Sequence, residues 1–237
     1  MQKYYIVGEL KPLTTNSIRD IEQDVILKLP KDYKNFLKNY GYGSVNEFLL
    51  INRPDKNYFK LNFSDYLDFW ILSDTERKNI CEGVLIASNI NGDIFLLVLN
   101  TSYPFVLVPR DAEQLTYFKN FDDLLKYTTD DLILNEELYF DSNYGYEQQY
   151  FNLIKDEWLD KSLVERVCKA FIEAFEFDKV IGSVQPKYFI QNIGGWVRFD
   201  LLYKNSIQVK YQKKYHEEAK KIIEYIHKNL DWDVKIE

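Results

Sequence analysis

Histidine, cysteine and glycine are scarce in this chain of 237 residues, and their scarcity argues against several kinds of chemistry. The only two histidines, His216 and His227, lie 11 residues apart on one predicted helix, a rise of about 16 Å, which is too far to share a metal ion. The sequence contains neither a Gly-x-Ser-x-Gly nucleophile motif nor a glycine-rich phosphate loop followed by lysine. We therefore expect two surface histidines, no catalytic residue, no metal, no cofactor and no enzymatic activity.

Long apolar runs and paired cysteines are also missing. No stretch approaches the roughly 18 apolar residues of a membrane span. Cys81 and Cys168 are far apart, and Met1–Tyr5 leads into mixed polar sequence instead of an apolar signal core. We therefore expect a cytoplasmic protein with reduced cysteines that does not bind membranes.

Aromatic residues are abundant, at 16% of the chain with 19 Tyr and 16 Phe. They mark a short predicted helix that Pro30 opens and Gly41 and Gly43 close. Tyr33, Phe36, Leu37 and Tyr40 follow the i, i+3, i+4, i+7 spacing of one buried stripe. Because Gly41–Ser44 follows a helix and lacks a lysine, we interpret it as a helix cap and not as a phosphate-binding turn.

Other helices flank the predicted strands of the N-terminal half. Ser17 is predicted to cap a first helix that ends near Asp24, with Ile18, Ile21 and Val25 on its inner side. Residues 61–69 fit either a helical turn or a loop. Phe118, Phe121, Leu124 and Leu125 are predicted to line one side of a closing helix.

Apolar runs predict the strands themselves. Residues 48–51 form a strand that Pro54 ends, and residues 105–108 form another before Pro109. Residues 84–88 and 94–99 are predicted to pair through a type I′ turn at Asn91-Gly92, in the middle of a sheet.

The order and spacing of these features across residues 15–128 resemble the SUKH superfamily, the group named after a fungal cell-wall regulator. The resemblance rests on Leu29-Pro30, the Tyr33–Gly41 stripe, Asn91-Gly92-Asp93, Pro109 and the Phe121-Leu124-Leu125 helix. It implies an α+β fold, with helices flanking a central mixed or antiparallel sheet, and an activity of protein binding. Bacterial immunity proteins that neutralise toxins are its best-represented members. The long C-terminal extension departs from the family pattern.

A second, smaller α+β unit is predicted beyond a polar stretch at residues 141–149, which divides the chain into domains 1–141 and 150–237. It begins with an amphipathic helix over residues 163–175. Three strands follow, the first at either 180–184 or 188–193 and the others at 196–203 and 207–211. A helix from about Lys213 to Asn229 and a final strand at residues 232–236 complete the unit.

Two features of this chain invite a nucleic-acid hypothesis. The helix, three strands and helix of the C-terminal unit are similar to a double-stranded-RNA-binding domain, and lysines occur at 213–214 and 220–221. However, Glu217, Glu218 and Glu224 stand at i, i+4 spacing from lysines, so this helix face is charge-balanced. A solvated helix and no nucleic-acid binding are therefore the favoured interpretation.

Acidic residues are concentrated in the N-terminal part. Residues 1–145 contain 15 Lys and Arg against 22 Asp and Glu, whereas residues 146–237 contain 15 of each. An excess of negative charge repels nucleic acid and attracts basic proteins. A solvated acidic face that only keeps the protein soluble would have the same pattern. Adjacent carboxylates could also bind a hard cation, but at a helix start they more often complement the helix dipole. The candidate partner-binding residues are Asp122, Asp123, Asp130, Asp131, Glu136, Glu137 and Asp141, with Tyr139, Phe140 and Tyr144 as aromatic anchors.

The SUKH resemblance and the acidic N-terminal part together predict a bacterial immunity protein in a polymorphic toxin or toxin–antitoxin system. It would capture a cognate toxin domain without covalent chemistry, and a basic nuclease is the expected kind of toxin. A regulatory or scaffold protein-binding module without a toxin is the alternative. An enzyme with a site at the junction of the two units is a further alternative, but no motif supports it. The sequence leaves the oligomeric state open.

Overall fold

The computed structural model describes residues 4–99, 101–133, 137–142, 146–153 and 161–230, without the side chains of 130–133 and 161. The chain divides into two compact units. One comprises Met1–Tyr5, Leu10–Leu134 and Leu138–Ser142, and the other comprises Ile6–Glu9, Asn135–Glu137 and Asn143–Glu237. Helices and two separate sheets make the protein α+β, as predicted.

The larger sheet is mixed and has eight strands in the order β1-β8-β2-β3-β4-β5-β6-β7. Its strands are β1 (Tyr5–Val7), β2 (Gly43–Val45), β3 (Leu49–Asp55), β4 (Val84–Asn89), β5 (Ile94–Leu97), β6 (Phe105–Val108), β7 (Thr116–Phe118) and β8 (Tyr139–Asp141). The helices of the first unit are α1 (Thr15–Asp24), α2 (Lys31–Asn39), α3 (Tyr58–Phe63), α4 (Asp74–Cys81) and α5 (Phe121–Ile133), with a 3₁₀ helix at Ser64–Phe69.

The start of α1 differs from the prediction. Thr14, not Ser17, is the N-cap residue, and its Oγ1 accepts the Ser17 N–H at 3.0 Å. Ser17 lies inside the first turn as the donor of that bond. The predicted inner face is confirmed, because Ile18, Ile21 and Val25 are all buried.

The helix α2 follows the prediction closely. Pro30 is its N-cap, one residue before the first helical position. Tyr33, Phe36 and Leu37 are buried, and Tyr40 is half-buried. Gly41 ends the helix at φ +77°, where an added Cβ would lie 2.0 Å from the Lys11 carbonyl oxygen. Both the backbone angle and this close approach require glycine.

The hairpin between β4 and β5 is confirmed, but its turn type is different. Of the two predicted turn residues, only Gly92 has a positive φ, at +91°. The Gly92 N–H donates to the Asn89 carbonyl at 3.1 Å, and Asn89 N–H donates to Asp93 O at 3.0 Å. The loop therefore contains three residues, Ile90, Asn91 and Gly92, because a type I′ turn would also need a left-handed Asn91. The strands lie inside the sheet, as predicted.

Two other boundaries were wrong in the prediction. The strand β3 continues through Pro54 to Asp55, and its register with β4 shifts between Ile51 and Asp55. A proline is tolerated at such an irregularity because the regular hydrogen bonding between the strands is interrupted there, and proline has no N–H to donate. Phe118 ends β7 and pairs with Phe105, so the closing helix starts only at Phe121.

The second sheet has five antiparallel strands in the order β10-β11-β12-β13-β9. Its elements are β9 (Tyr146–Asn152), α6 (Lys161–Ala174), β10 (Lys179–Ile181), β11 (Lys187–Ile190), β12 (Gly195–Phe199), β13 (Ser206–Gln212) and α7 (His216–Asn229), with a 3₁₀ turn at Lys213–Tyr215 before α7. The two alternatives for the first strand after α6 both exist, as β10 and β11. The predicted strand at 232–236 lies outside the described residues.

The core of the second unit joins α6 and α7 to one set of strand side chains. Val164, Val167 and Phe171 of α6 pack in one cluster with Ile222 and Ile226 of α7. Four strands separate the two helices, and β9 precedes them. The similarity to a double-stranded-RNA-binding domain rested on a predicted order of helix, three strands and helix. The observed order differs from it, so the structure does not support that similarity.

Candidate protein-binding surfaces

The acidic pair at the start of α5 occupies the first helical turn, and both side chains are exposed. Asn120 caps this turn: its Oδ1 accepts the Asp123 N–H at 2.8 Å, and its Nδ2 donates to Asp123 Oδ2 at 2.8 Å. The Asp32 carboxylate accepts the N–H of Phe121. Asp123 therefore has a structural role at the helix terminus, where negative charge is favoured by the helix dipole. Asp122, which is also exposed, takes no part in this capping arrangement.

The structure brings only some of the sequence-predicted residues to the surface. Glu137 is exposed, and its carboxylate pairs with Lys179 Nζ at 2.5 Å within the second unit. Tyr139, Phe140 and Asp141 form β8 and are fully buried. As placed, these three side chains offer no surface to a partner, which corrects their selection as contact residues.

Four of the predicted positions are not described in full. The backbone of Asp130 and Asp131 belongs to α5, but their side chains lie outside the described part of the structure. Glu136 and Tyr144 lie outside the described residues altogether. Exposed candidates with described side chains are thus Asp122, Asp123 and Glu137.

An apolar groove of about 500 Å³ lies in the first unit, and its residues were not among the predicted site residues. Its aromatic wall comes from α3 and the following 3₁₀ helix. Phe69 is 50% exposed and Tyr66 is 64% exposed. The groove is lined by Tyr58, Phe63, Tyr66, Phe69, Trp70, Gly92, Ile94, Val108, Pro109 and Arg110.

The floor of this groove is held in place by Trp70. Its indole Nε1–H donates to the Pro109 carbonyl oxygen at 2.8 Å, which joins the 3₁₀ helix to the end of β6. Trp70 also packs against Phe59 and Phe63, with ring centroids 5.9 and 6.4 Å apart. These rings belong to a buried cluster with Ile94 and Val108. The floor of the groove is therefore preformed, because Trp70 is part of the core.

The segment after the groove is anchored by a capping box. Ser73 Oγ accepts the Glu76 N–H at 3.3 Å, and the Glu76 carboxylate accepts the Ser73 N–H at 2.9 Å. Tyr117 Oη of β7 donates to the same carboxylate at 2.7 Å. Hydrogen bonds from the Ser73 side chain, then Tyr117 and the Ser73 backbone, lower the pKa of Glu76. This carboxylate is thus already engaged within the domain.

A signal for this region was present in the sequence. The pattern Ser73-Asp74-Thr75-Glu76 is the signature of a capping box and marks the start of α4, a helix that hydrophobic periodicity did not predict. Tyr58, Phe59, Phe63, Tyr66 and Phe69 recur within 12 residues just before it. Their density could have indicated an aromatic cluster, but which rings are exposed depends on the 3₁₀ geometry.

The described contacts of the histidines and cysteines are made with neighbouring tyrosine and glutamate side chains. His216 Nδ1 lies 3.3 Å from Glu147 Oε2, and the Tyr211 hydroxyl donates to the same carboxylate at 2.9 Å. Burial raises the pKa of the Cys168 thiol, whose Sγ is 3.6 Å from Tyr188 Oη. Within the residues that the structure describes, no three His, Cys, Asp or Glu side chains are grouped to hold a metal ion.

None of the helices described there is long and apolar enough to cross a membrane.

The architecture defines an α+β protein of two units, whose first unit carries an exposed apolar groove and an acidic helix start. Residues 12–127 match the model of the SMI1 / KNR4 family (SUKH-1), so the N-terminal part of the chain contains a domain of that family. The match confirms the resemblance found in the sequence over nearly the same residues. Searches of curated proteins and of solved structures gave no significant match.

Proposed function

We propose that this protein is an immunity protein that binds a cognate bacterial toxin domain and neutralises it without chemistry of its own. The observation that carries the proposal is the SUKH-1 domain at residues 12–127. The exposed apolar groove and the exposed Asp122 of that domain support it, because protein interfaces combine buried aromatic contacts with charge complementarity.

The expected target is a basic toxin domain of the nuclease type. Nuclease surfaces are basic because they bind phosphate, and an acidic protein can occupy such a surface by presenting carboxylates in place of phosphates. The whole chain has a formal net charge of −7, and residues 1–145 hold all of this excess. Long-range attraction between the two proteins would then raise their association rate at low salt.

The experiment is co-expression of the chain with the C-terminal domain of a large secreted protein encoded beside its gene. Growth rescue and a stable complex in a pull-down assay are the expected results. If neither is seen but the chain is recovered in a complex with a regulatory protein, a scaffold function replaces this proposal.

Charge reversal tests the role of the acidic helix start. Asp122→Lys should lower the association rate constant by about threefold at low ionic strength and flatten its dependence on salt, since one steering charge is reversed. The matched control is Glu217→Lys, because Glu217 is also an exposed acid at the second position of a helix, but in the second unit. Equal effects of the two variants on association would show that only net charge matters and would remove α5 from the interface.

A further inference from the structure

The turn between β4 and β5 contains a pair of residues that is chemically reactive. Asn91-Gly92 is the one Asn-Gly pair of the sequence, and both residues are exposed. In such a pair the backbone nitrogen of the glycine can attack the side-chain amide carbon of the asparagine, because glycine has no side chain to block the approach. The pair is therefore a candidate site of spontaneous modification.

The two Asn-Ser pairs of the sequence are the natural comparison, since serine is also small. Asn16-Ser17 lies in the first turn of α1, where the Ser17 N–H donates to Thr14 Oγ1 at 3.0 Å. In Asn205-Ser206, the serine is the first residue of β13 and is buried. A nitrogen that is held in regular structure becomes reactive only when that structure opens.

The Gly92 nitrogen is held less firmly. Its N–H donates to the Asn89 carbonyl at 3.1 Å, and this bond must open before the nitrogen can turn towards the Asn91 side chain. A hydrogen bond at an exposed turn opens at a lower free energy than the bonds of core strands and helices. Attack on Asn91 therefore requires only local opening of the hairpin tip.

The Arg110 side chain packs against Gly92. Its Cδ and Nη1 lie 2.8 and 3.4 Å from the position that a Cβ on Gly92 would take. The attacking nitrogen must give up its proton, and a cation beside it stabilises the negative charge that results. Two acids lie near this arginine: Asp111 Oδ1 is 3.9 Å from its Nε, and the Asp93 carboxylate accepts its backbone N–H at 2.8 Å. The same Asp93 carboxylate also accepts the Asn89 Nδ2–H at 2.8 Å, so it is already engaged within the turn.

We propose that Asn91 is a site of spontaneous covalent modification, which Arg110 promotes and which converts this asparagine into aspartate and isoaspartate. The Gly92 nitrogen loses its proton to solvent and forms a bond to Asn91 Cγ. The bond from Cγ to Nδ2 breaks, and Nδ2 takes up a proton and leaves as ammonia. Water then opens the resulting succinimide ring. Cleavage of the new bond leaves aspartate, whereas cleavage of the original peptide bond leaves isoaspartate, in which the chain continues through the side chain.

Both products change the hairpin tip. Each adds a carboxylate, and isoaspartate also adds a methylene group to the main chain of a three-residue loop. Asn89 Oδ1 accepts the N–H groups of Asn91 and Asp93 at 3.1 and 3.0 Å, and a longer main chain misaligns these bonds. Because Gly92 and Arg110 line the apolar groove, the modification alters the charge and shape of its margin. The inference goes beyond the proposed function and does not depend on it.

The test incubates the full-length folded protein in H₂¹⁸O at physiological temperature and digests it afterwards in ordinary water. Mass spectrometry of the peptide that contains residue 91 detects the ¹⁸O-labelled acid that formed during the incubation, and chromatography separates aspartate from isoaspartate. We expect labelled product at Asn91 earlier than at Asn16 or Asn205. Asn91→Gln should give no labelled acid at this position over the same time, because glutamine would have to close a larger ring.

Substitutions of the arginine test its part in the reaction. Arg110→Gln should slow the modification of Asn91 by about threefold, because the cation beside the attacking nitrogen is lost, and Arg110→Lys should retain most of the rate. The matched control is Arg53→Gln, since the side chains of Arg53 and Arg110 are 69% and 67% exposed. In denaturing urea the variants and the wild type should react at equal rates. Circular dichroism shows whether each variant is folded.

Two results would overturn the inference. One is a folded protein in which Asn91 remains unmodified while the same residue is converted in the chain held in denaturing urea. The other is equal rates of modification in the folded wild type and folded Arg110→Gln.

Discussion

Ile26 is a β-branched residue in a left-handed backbone conformation, with φ +57°. It follows α1, where its N–H donates to Gln23 O at 3.2 Å and the next residue, Leu27, donates to Glu22 O at 3.1 Å. Glycine is the residue that usually occupies this position after a helix, because a Cβ costs about 1 kcal/mol or more there. The Ile26 side chain is 78% exposed, so burial does not offset this cost.

We therefore predict that Ile26→Gly stabilises the protein, by about 0.5–1 kcal/mol after allowance for the greater flexibility of glycine in the unfolded chain. Urea denaturation followed by circular dichroism measures the difference. Ile90→Gly is the control, because Ile90 is exposed but has no positive φ. A loss of stability in Ile26→Gly would show that this side chain makes a contribution that outweighs the backbone strain.

Individual residues of β8 show why composition alone selected some side chains that are buried. Tyr139, Phe140 and Asp141 follow an acidic run, and aromatic residues are enriched at protein interfaces. Yet Phe140 packs against Phe36, with centroids 5.7 Å apart, and Tyr139 N–H donates to Asn46 Oδ1 at 2.8 Å. Their burial results from pairing of β8 with β2, almost 100 residues earlier in the chain.

At the scale of elements, Glu76 links α4 to β7. Its carboxylate accepts hydrogen bonds from Ser73 and from Tyr117, and these bonds favour the ionised form. The pKa of Glu76 is therefore lowered from its ordinary value of 4.5. A folded-state pKa below the unfolded value adds stability above the unfolded pKa, and this stability is lost as the pH falls through the folded pKa.

Glu76→Gln should accordingly lower the free energy of unfolding at pH 7 by about 0.5–1 kcal/mol, a modest value because the carboxylate is partly exposed to solvent. The difference between the variant and wild type should shrink as the pH falls below the ordinary value of 4.5 and through the lowered pKa of folded Glu76. Urea titrations at pH 7 and pH 3 provide the measurement, with the exposed Glu113→Gln as control. A difference of the same size at both pH values would contradict the role of the charge.

The elements that sequence patterns missed are short or irregular. The strand β7 has only three residues, and β9 has polar residues at four of its seven positions and no regular apolar alternation. Both are edge-type strands that are stabilised by one neighbour, β6 or β13. Period-two hydrophobicity is weak in such strands, because only part of one face is buried.

At the scale of the whole molecule, the net charge and its distribution determine which macromolecules are attracted. The lysines near α7 are balanced by acids: Lys214 pairs with Glu9, and Lys220 Nζ lies 3.9 Å from Glu224 Oε1. Nucleic-acid binding needs an unbalanced basic surface that displaces counterions from the phosphates.

We predict that the protein at about 10 µM does not retard a 30-base-pair DNA or RNA duplex in about 150 mM salt. The positive control is the triple variant Glu217→Lys/Glu218→Lys/Glu224→Lys, which makes the same helix face strongly basic and should bind weakly in a salt-dependent manner. Retardation by the wild-type protein would contradict the charge-balance argument.

The local properties of this protein were determined by its sequence. The apolar stripes of α1 and α2, the left-handed cap at Gly41 and the paired strands around Gly92 depend on neighbouring residues, so local spacing predicted them. The SUKH-1 resemblance followed from the order of these local features, and the family match supports it.

Only the tertiary structure decided which side chains face solvent and how the chain is divided. The attachment of Ile6–Glu9 to the second unit, the burial of β8 and the assembly of the groove from α3, a 3₁₀ helix and the ends of β5 and β6 all depend on contacts between distant parts of the chain. Composition and periodicity carry no information about such contacts, because the free energy of burial depends on the partner surface that removes a side chain from water.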